Sequence, residues 1–302
     1  MKCLVLAAIV AVTALPVAAF DRMTRASCQA SFERLTELIK PSDPTSPSER
    51  RFITVTTDKW CQITAGDPGF ETAPFTELEW RMDGTRLWTE DAVPQLGLQV
   101  RVRGLDPDEM QGGVSTDRPM VSVDVTLRQE PAAGQVIVER AVMSNDAGDS
   151  LAVSGVFERM FLSSPAMMQV SMGSATFKAG LVSMTLEGAH ENPFGFYIEM
   201  RGGPQAQRDA AFDLLSRLPD GLISDASRAK ITGFAGDLPK PVGILEVAVV
   251  SERGLGLMQI GSSFLASVWT IIEDDEMSNE LEILFDGLLI NADWSPAGQV
   301  AN

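Results

Sequence analysis

Two stretches of this chain alternate without a fault. In 96–103, Leu96, Leu98, Val100 and Val102 stand against Gly97, Gln99, Arg101 and Arg103. In 121–128, Val121, Val123, Val125 and Leu127 stand against Ser122, Asp124, Thr126 and Arg128. A pleated strand sends successive side chains to opposite faces, so each stretch predicts a strand with one apolar and one wet face. Such strands belong to antiparallel sheets, because parallel strands covered on both faces read as continuous apolar runs. The expected fold is therefore α+β, a predominantly antiparallel β-sheet with a few amphipathic helices packed on it.

Weaker patterns place further strands at 51–56, 59–64, 75–82, 85–88, 135–143, 150–157, 167–172, 175–187 and 195–201, punctuated by Gly, Asp and Pro. Asp83-Gly84, between Trp80 and Trp88, suits the positive φ values of a type I′ turn and predicts a hairpin there. A helix is expected from Thr24 to Lys40, where Cys28, Phe32, Leu35, Leu38 and Ile39 share a face, and Pro41, Pro44 and Pro47 end it. Two more helices are expected after Gly202-Gly203-Pro204, one over 204–218 and one capped by Ser224 or Asp225 and ending at Asp237. The tail then reads as a strand through Leu245, Val247 and Val249, a turn at Glu252-Arg253-Gly254, a short helix near 262–272, and a second Asp-Gly hairpin joining 281–285 to 288–294. The glycine pair suggests a boundary, giving a sheet-rich portion over 20–203 and a helix-plus-sheet portion over 204–302, or one continuous domain.

Residues 1–19 join a lone Lys2 to a short apolar run and end in Val17-Ala18-Ala19, the pattern of a secretory signal peptide cleaved after Ala19. The apolar run falls short of the ~20 residues that span a bilayer, so no transmembrane segment is expected after cleavage. Export to the periplasm is the expected localisation. Cys28 and Cys61 then remain in a compartment where a disulfide persists, and a bridge between them is expected, with a pair of buried thiols as the alternative. Two cysteines 33 apart and a single histidine do not make a tetrahedral metal site.

Charge narrows the partners. With 41 acidic against 24 basic side chains and a net charge of −17, the chain repels phosphate backbones and anionic headgroups, so neither nucleic-acid binding nor electrostatic membrane docking is expected. No phosphate loop, dinucleotide fingerprint, His-Glu-x-x-His or Cys-x-x-Cys occurs, and no cofactor is expected. Glu273-Asp274-Asp275-Glu276 and Asp106-Pro107-Asp108-Glu109 lack the spaced oxygen ligands and glycine of a calcium loop and read as solvated surface, which leaves a metal-binding module as a minor alternative.

Gly148-Asp149-Ser150-Leu151 resembles the tetrapeptide of the GDSL esterase and lipase family. That resemblance implies a serine nucleophile at Ser150 with His190, the one histidine, as its base. The pattern departs from the family at several points. The motif lies mid-chain, His190 follows Glu187 by three residues where the family has Asp-x-x-His far downstream, the family's glycine and asparagine blocks are missing, and its sheet is parallel. A turn from Asn145 to Gly148 leading into a strand at Leu151 explains the same residues more simply, so a catalytic role for Ser150 and His190 is the disfavoured alternative.

What remains is a binding or scaffolding role in the cell envelope. Sheet, amphipathic helices and adaptable methionines together suit an apolar groove. This layout is similar to that of envelope lipid-carrier and lipid-bridge proteins of Gram-negative bacteria, which implies a lipid or an envelope protein as partner. Met168, Val170 and Met172, read as one face of the strand 167–172, and Leu181 and Met184 are the expected walls. The same residues would equally fill an ordinary core.

Overall fold

The structure, a computed structural model, describes residues 20, 22–39, 53–68, 70–71, 73–83, 96–106, 119–161, 165–188, 203–219, 221–256 and 287–297. The leader expected at 1–19, the strands expected at 85–88 and 195–201, the helix expected near 262–272 and His190 lie outside them. Among the described residues the fold is α+β: ten strands in one sheet, paired antiparallel, with a few helices. The strands are β1 (Thr54–Val55), β2 (Cys61–Thr64), β3 (Glu77–Met82), β4 (Leu96–Leu105), β5 (Val121–Glu130), β6 (Gln135–Asn145), β7 (Ser150–Glu158), β8 (Thr176–Glu187), β9 (Val242–Gly256) and β10 (Leu288–Pro296). Each pairs with the next in chain order. The sheet therefore runs unbroken across residues 203 and 204, since β8 pairs with β9 from Thr176↔Gly256 to Glu187↔Val242.

The register gives one face a single chemistry. A line of directly opposed residues runs from Cys61 through Trp80, Val100, Val125, Ala141, Val153, Val182 and Val247 to Ala292. Two residues along, a second line joins Ile63, Leu78, Val102, Val123, Met143, Leu151, Met184, Leu245 and Trp294. Neither line contains a charge. On the other face the matching line begins Gln62, Glu79, Arg101, Asp124, turns to Val142 and Ala152 in the middle, and ends Ser183, Glu246, Asp293.

Helix α1 (Arg25–Ile39) closes the N-terminal end of the apolar face. Its start is a reciprocal cap: Ser27 N–H donates to Thr24 Oγ1 at 3.2 Å, and Thr24 N–H donates to Ser27 Oγ at 2.6 Å. Cys28, buried, is bonded to Cys61 of β2, with the Cα atoms 5.4 Å apart. Phe32 stacks on Trp80 at 5.6 Å and on Phe70 at 5.9 Å, and Trp80 Nε1–H donates to Ser31 Oγ at 2.8 Å. Met23, Ile53, Ile63 and Met82 complete this core. On the opposite face Trp60 lies between the guanidiniums of Arg81 and Arg101, 4.5 and 4.1 Å from its ring, and Phe20 stacks on the far side of Arg81 at 4.8 Å. Arg101 lies 3.4 Å from Asp124 and 3.9 Å from Glu79, so the wet face is charge-paired there.

Helices α3 (Gly203–Arg217) and α4 (Asp225–Asp237) serve the other end. Ser224 caps α4 by accepting from Ser227 N–H, and the helix ends at Asp237 as expected. The free edge of β10 is satisfied from this side: Ile290 N–H donates to Leu222 O at 2.8 Å, Ala292 N–H donates to Ser227 Oγ at 3.0 Å, and Lys230 Nζ donates to Trp294 O at 3.2 Å. An edge tied in this way is not open to further strands. Trp294 is held between Phe234, 5.1 Å away, and Asp237, to which its indole N–H donates at 2.9 Å.

Two expectations are corrected. Residues 167–172 are not a strand but part of helix α2 (Pro165–Met172); Pro165 opens it, and the alternation of Met168, Val170 and Met172 is too short to tell one period from the other. The turn at Glu252-Arg253-Gly254 is a bulge inside β9, where the register with β8 jumps from Ala179↔Val250 to Phe177↔Leu255. The hairpins expected at Asp83-Gly84 and between 281–285 and 288–294 reach outside the described residues; the described partners of β3 are β2 and β4, and those of β10 are β9 and the segment around Leu222.

Candidate functional site

The apolar face is buried at both ends and half-open between them. Along the second line Ile63 is 0% exposed, Leu245 5% and Trp294 4%, whereas Val123, Met143, Leu151 and Met184 are each only partly buried. On the first line Trp80 is 1% exposed and Val153, at the middle, 36%. Identical residue types thus meet different surroundings along one continuous row. From β4 to β9 the row spans five interstrand steps of about 4.8 Å, about 24 Å in all. Between Trp80 and Trp294 no side chain of the two lines carries a hydrogen-bonding N–H or oxygen, so the attraction offered there is burial of apolar surface and close packing.

One side of the open stretch is shaped by a glycine pair. Gly155 and Gly180 lie opposite each other on β7 and β8, between Val138 and Val249. A methyl group on Gly180 would stand 2.9 Å from Phe177 Cε2 and 2.9 Å from Ser154 O, so the Phe177 ring occupies the space these glycines leave. Phe157 meets Phe177 edge-on at 5.7 Å. The aromatic pair bounds the open stretch toward the β7–β8 connection.

The residues expected to wall a groove are only partly brought together. Met184 lies on the second apolar line, opposite Leu151 and Leu245. Leu181 is opposite Ser154 and Ala248 and so projects from the other face of the same strand. Met168, Val170 and Met172 belong to α2, which leaves Val170 72% exposed and touches α1. The residues that form the open middle, Val123, Val125, Ala141, Met143, Leu151 and Val153, were legible as apolar faces of separate strands; their union into one surface depends on register, which no single strand encodes.

Ser150 sits at the start of β7, opposite Ser144 and Thr185 on the other face of the sheet. The motif around it is a hairpin connection. Asn145 Oδ1 accepts from Ala147 and Asp149 N–H, each at 3.0 Å, and Gly148 supplies φ +95°. Asp149, 1% exposed, accepts from Asn145 Nδ2–H at 2.9 Å and from Glu187 N–H at 2.8 Å, which ties the turn to the end of β8. The tetrapeptide thus has a structural use that involves no chemistry at Ser150, and its expected base, His190, is outside the described residues.

Among the described residues no three His, Cys, Asp or Glu side chains converge as a metal site; of the two acidic clusters only Asp106 is described. Among the same residues no helix is long and apolar enough to cross a membrane. The Glu79 carboxyl is pushed above its ordinary pKa first by burial and then by Glu77. Its place beside Arg101 belongs to the charge pairing of the wet face. No family model matches the chain, and neither the curated proteins nor the solved structures show a significant match to it.

Proposed function

We propose that this chain is an exported, periplasmic cell-envelope binding protein that holds an apolar ligand, the acyl chain of a lipid, across the strands of its apolar face, with amphipathic helices as covers at either end. One observation carries the reading: an uncharged face of two adjacent lines, closed at one end by Ile63 and Trp80 and at the other by Leu245 and Trp294, stays partly open between them, with Val153 of the first line 36% exposed. Soluble monomers seldom leave a contiguous apolar surface open without a use for it. A saturated chain suits this row, because it needs no hydrogen-bonding partner and follows a straight path about 24 Å long. The disulfide and the leader pattern support an oxidising, extracytoplasmic setting.

The test is titration of the mature protein with the fluorescent apolar probe N-phenyl-1-naphthylamine, followed by displacement with palmitate. Binding and displacement are expected, and Val153→Asp is expected to weaken both by about tenfold or more, because a carboxylate then has to be desolvated against the ligand. Absence of probe binding by the wild-type protein would remove the reading.

A further inference from the structure

Two arginines meet on the Trp60 ring and differ in what answers their charge. Arg101 lies beside Asp124 and Glu79. Arg81 has no carboxylate within ion-pair distance among the described residues, Asp83 two positions along included. Burial lowers the Arg81 pKa first, and the Arg101 guanidinium lowers it further. In a chain with 41 acidic side chains, the fold thus leaves a half-buried cation uncompensated beside a second cation.

Arg81 is nonetheless held in one place. Its guanidinium carbon lies 4.8 Å from the Phe20 ring and 4.5 Å from the Trp60 ring. Phe20 can take this seat because position 97 is glycine: a methyl group there would stand 3.0 Å from Phe20 Cε1. Arg81 Nε–H donates to Gln99 Oε1, directly opposite on β4, and Gln99 Nε2–H donates in turn to Thr126 Oγ1 at 3.1 Å. A guanidinium has five N–H donors. Here the Nε–H is used, and the four on Nη1 and Nη2 have no acceptor among the described residues.

We propose that Arg81 is the anion-binding group of a second site, on the opposite face of the sheet from the acyl row, which takes the carboxylate of a small organic acid. The site does not rest on the acyl reading: Trp80 and Arg81 are consecutive on β3 and project from opposite faces. The free Nη edge is a fork that receives both oxygens of a carboxylate in one plane. The flanking rings select within the oxyanions. A planar carboxylate extends the guanidinium plane between Phe20 and Trp60, and an apolar body attached to it packs on those rings. A tetrahedral phosphate instead sends oxygens out of that plane toward the negative ring faces. The net charge of −17 tells further against a polyanion. Binding supplies the counter-charge that the fold omits, and the stack and Gln99 have already ordered the side chain that receives it.

The probe is benzoate, a carboxylate on a flat apolar body, titrated into the purified protein at low chloride. Binding is followed by calorimetry and by the arginine Nε–H resonances in ¹H–¹⁵N spectra, with that of Arg81 identified by its loss in Arg81→Lys. A saturable one-site isotherm that moves the Arg81 resonance is expected, with the neutral counterpart benzamide and inorganic phosphate each weaker by about tenfold or more. Arg81→Lys keeps the charge but loses the fork, and is expected to weaken benzoate about tenfold; Arg81→Gln should weaken it at least as much. Both variants should keep the wild-type circular dichroism and N-phenyl-1-naphthylamine affinity, since the acyl row is on the other face. Gln99→Ala releases Nε while leaving the guanidinium in place, and is expected to weaken benzoate about threefold; it serves should an Arg81 variant fail to fold. Three results would overturn the proposal: no saturable binding of benzoate by the wild-type protein, affinity unchanged in the Arg81 and Gln99 variants, or benzamide or phosphate binding as tightly as benzoate.

Discussion

The N-terminal end of the apolar face and its middle share a chemistry and differ in cover. At β2 and β3 the row meets α1, and the disulfide, the Phe32–Trp80 contact and the bond from Trp80 to Ser31 hold that helix down. At β5 to β8 the row continues with Val123, Val125, Met143, Leu151 and Val153, and these residues are only partly buried. The difference teaches that an apolar row in a sheet is not yet a core. It becomes one where another element is fixed over it, and elsewhere it is surface available to a ligand.

The largest effects should fall where the cover is. Trp80→Ala removes a fully buried ring together with the partner of Ser31, and is expected to cost about 3–5 kcal/mol in a denaturant titration. Reducing the Cys28–Cys61 bridge, or replacing both cysteines by serine, frees a loop whose ends are 33 residues apart and should cost about 3–4 kcal/mol, seen as a lower Tm under reducing conditions. A matched pair along the second line sharpens the contrast. Ile63→Ala, at 0% exposure, should cost about 2–4 kcal/mol, while Leu151→Ala in the open middle should cost less than about 1.5 kcal/mol and instead weaken acyl-chain binding. Equal costs at the two positions would mean that the middle is ordinary core.

The smallest effect concerns the wet face. Burial, then Glu77, raises the Glu79 pKa above its ordinary value, so the folded chain holds this proton more tightly than the unfolded one. The sign follows: this contribution favours folding below the ordinary carboxylate range, and it is lost as pH rises through that range to the raised value. Glu79→Gln should flatten the dependence in that window and leave stability at neutral pH equal or higher by under about 1 kcal/mol, since the side chain also lies 3.9 Å from Arg101. Stability measured against pH from 4 to 7 in both proteins checks it.

Much of the sheet was legible because its strands alternate. Residues 96–103 and 121–128 assign their own faces, and the structure keeps those assignments in β4 and β5. The cap at Ser224 and the Cys28–Cys61 bridge were legible from residue type and spacing. The rest depended on partners. Which strand flanks β8 is decided by an edge contributed from beyond residue 241, so no local signal at the end of β8 determines it. Helix α2 was misread because the alternation of Met168, Val170 and Met172 is too short to tell a strand period from a helical one. The open middle depended on register, with Leu181 and Met184 three residues apart and on opposite faces.

The most direct test is a native mass spectrum of the protein isolated from the proposed compartment, the periplasm, recorded before and after organic extraction. The account predicts a discrete lipid mass that extraction removes and added palmitate restores, and that Val153→Asp no longer carries. A spectrum showing only the unliganded chain, unchanged by added palmitate, would contradict it.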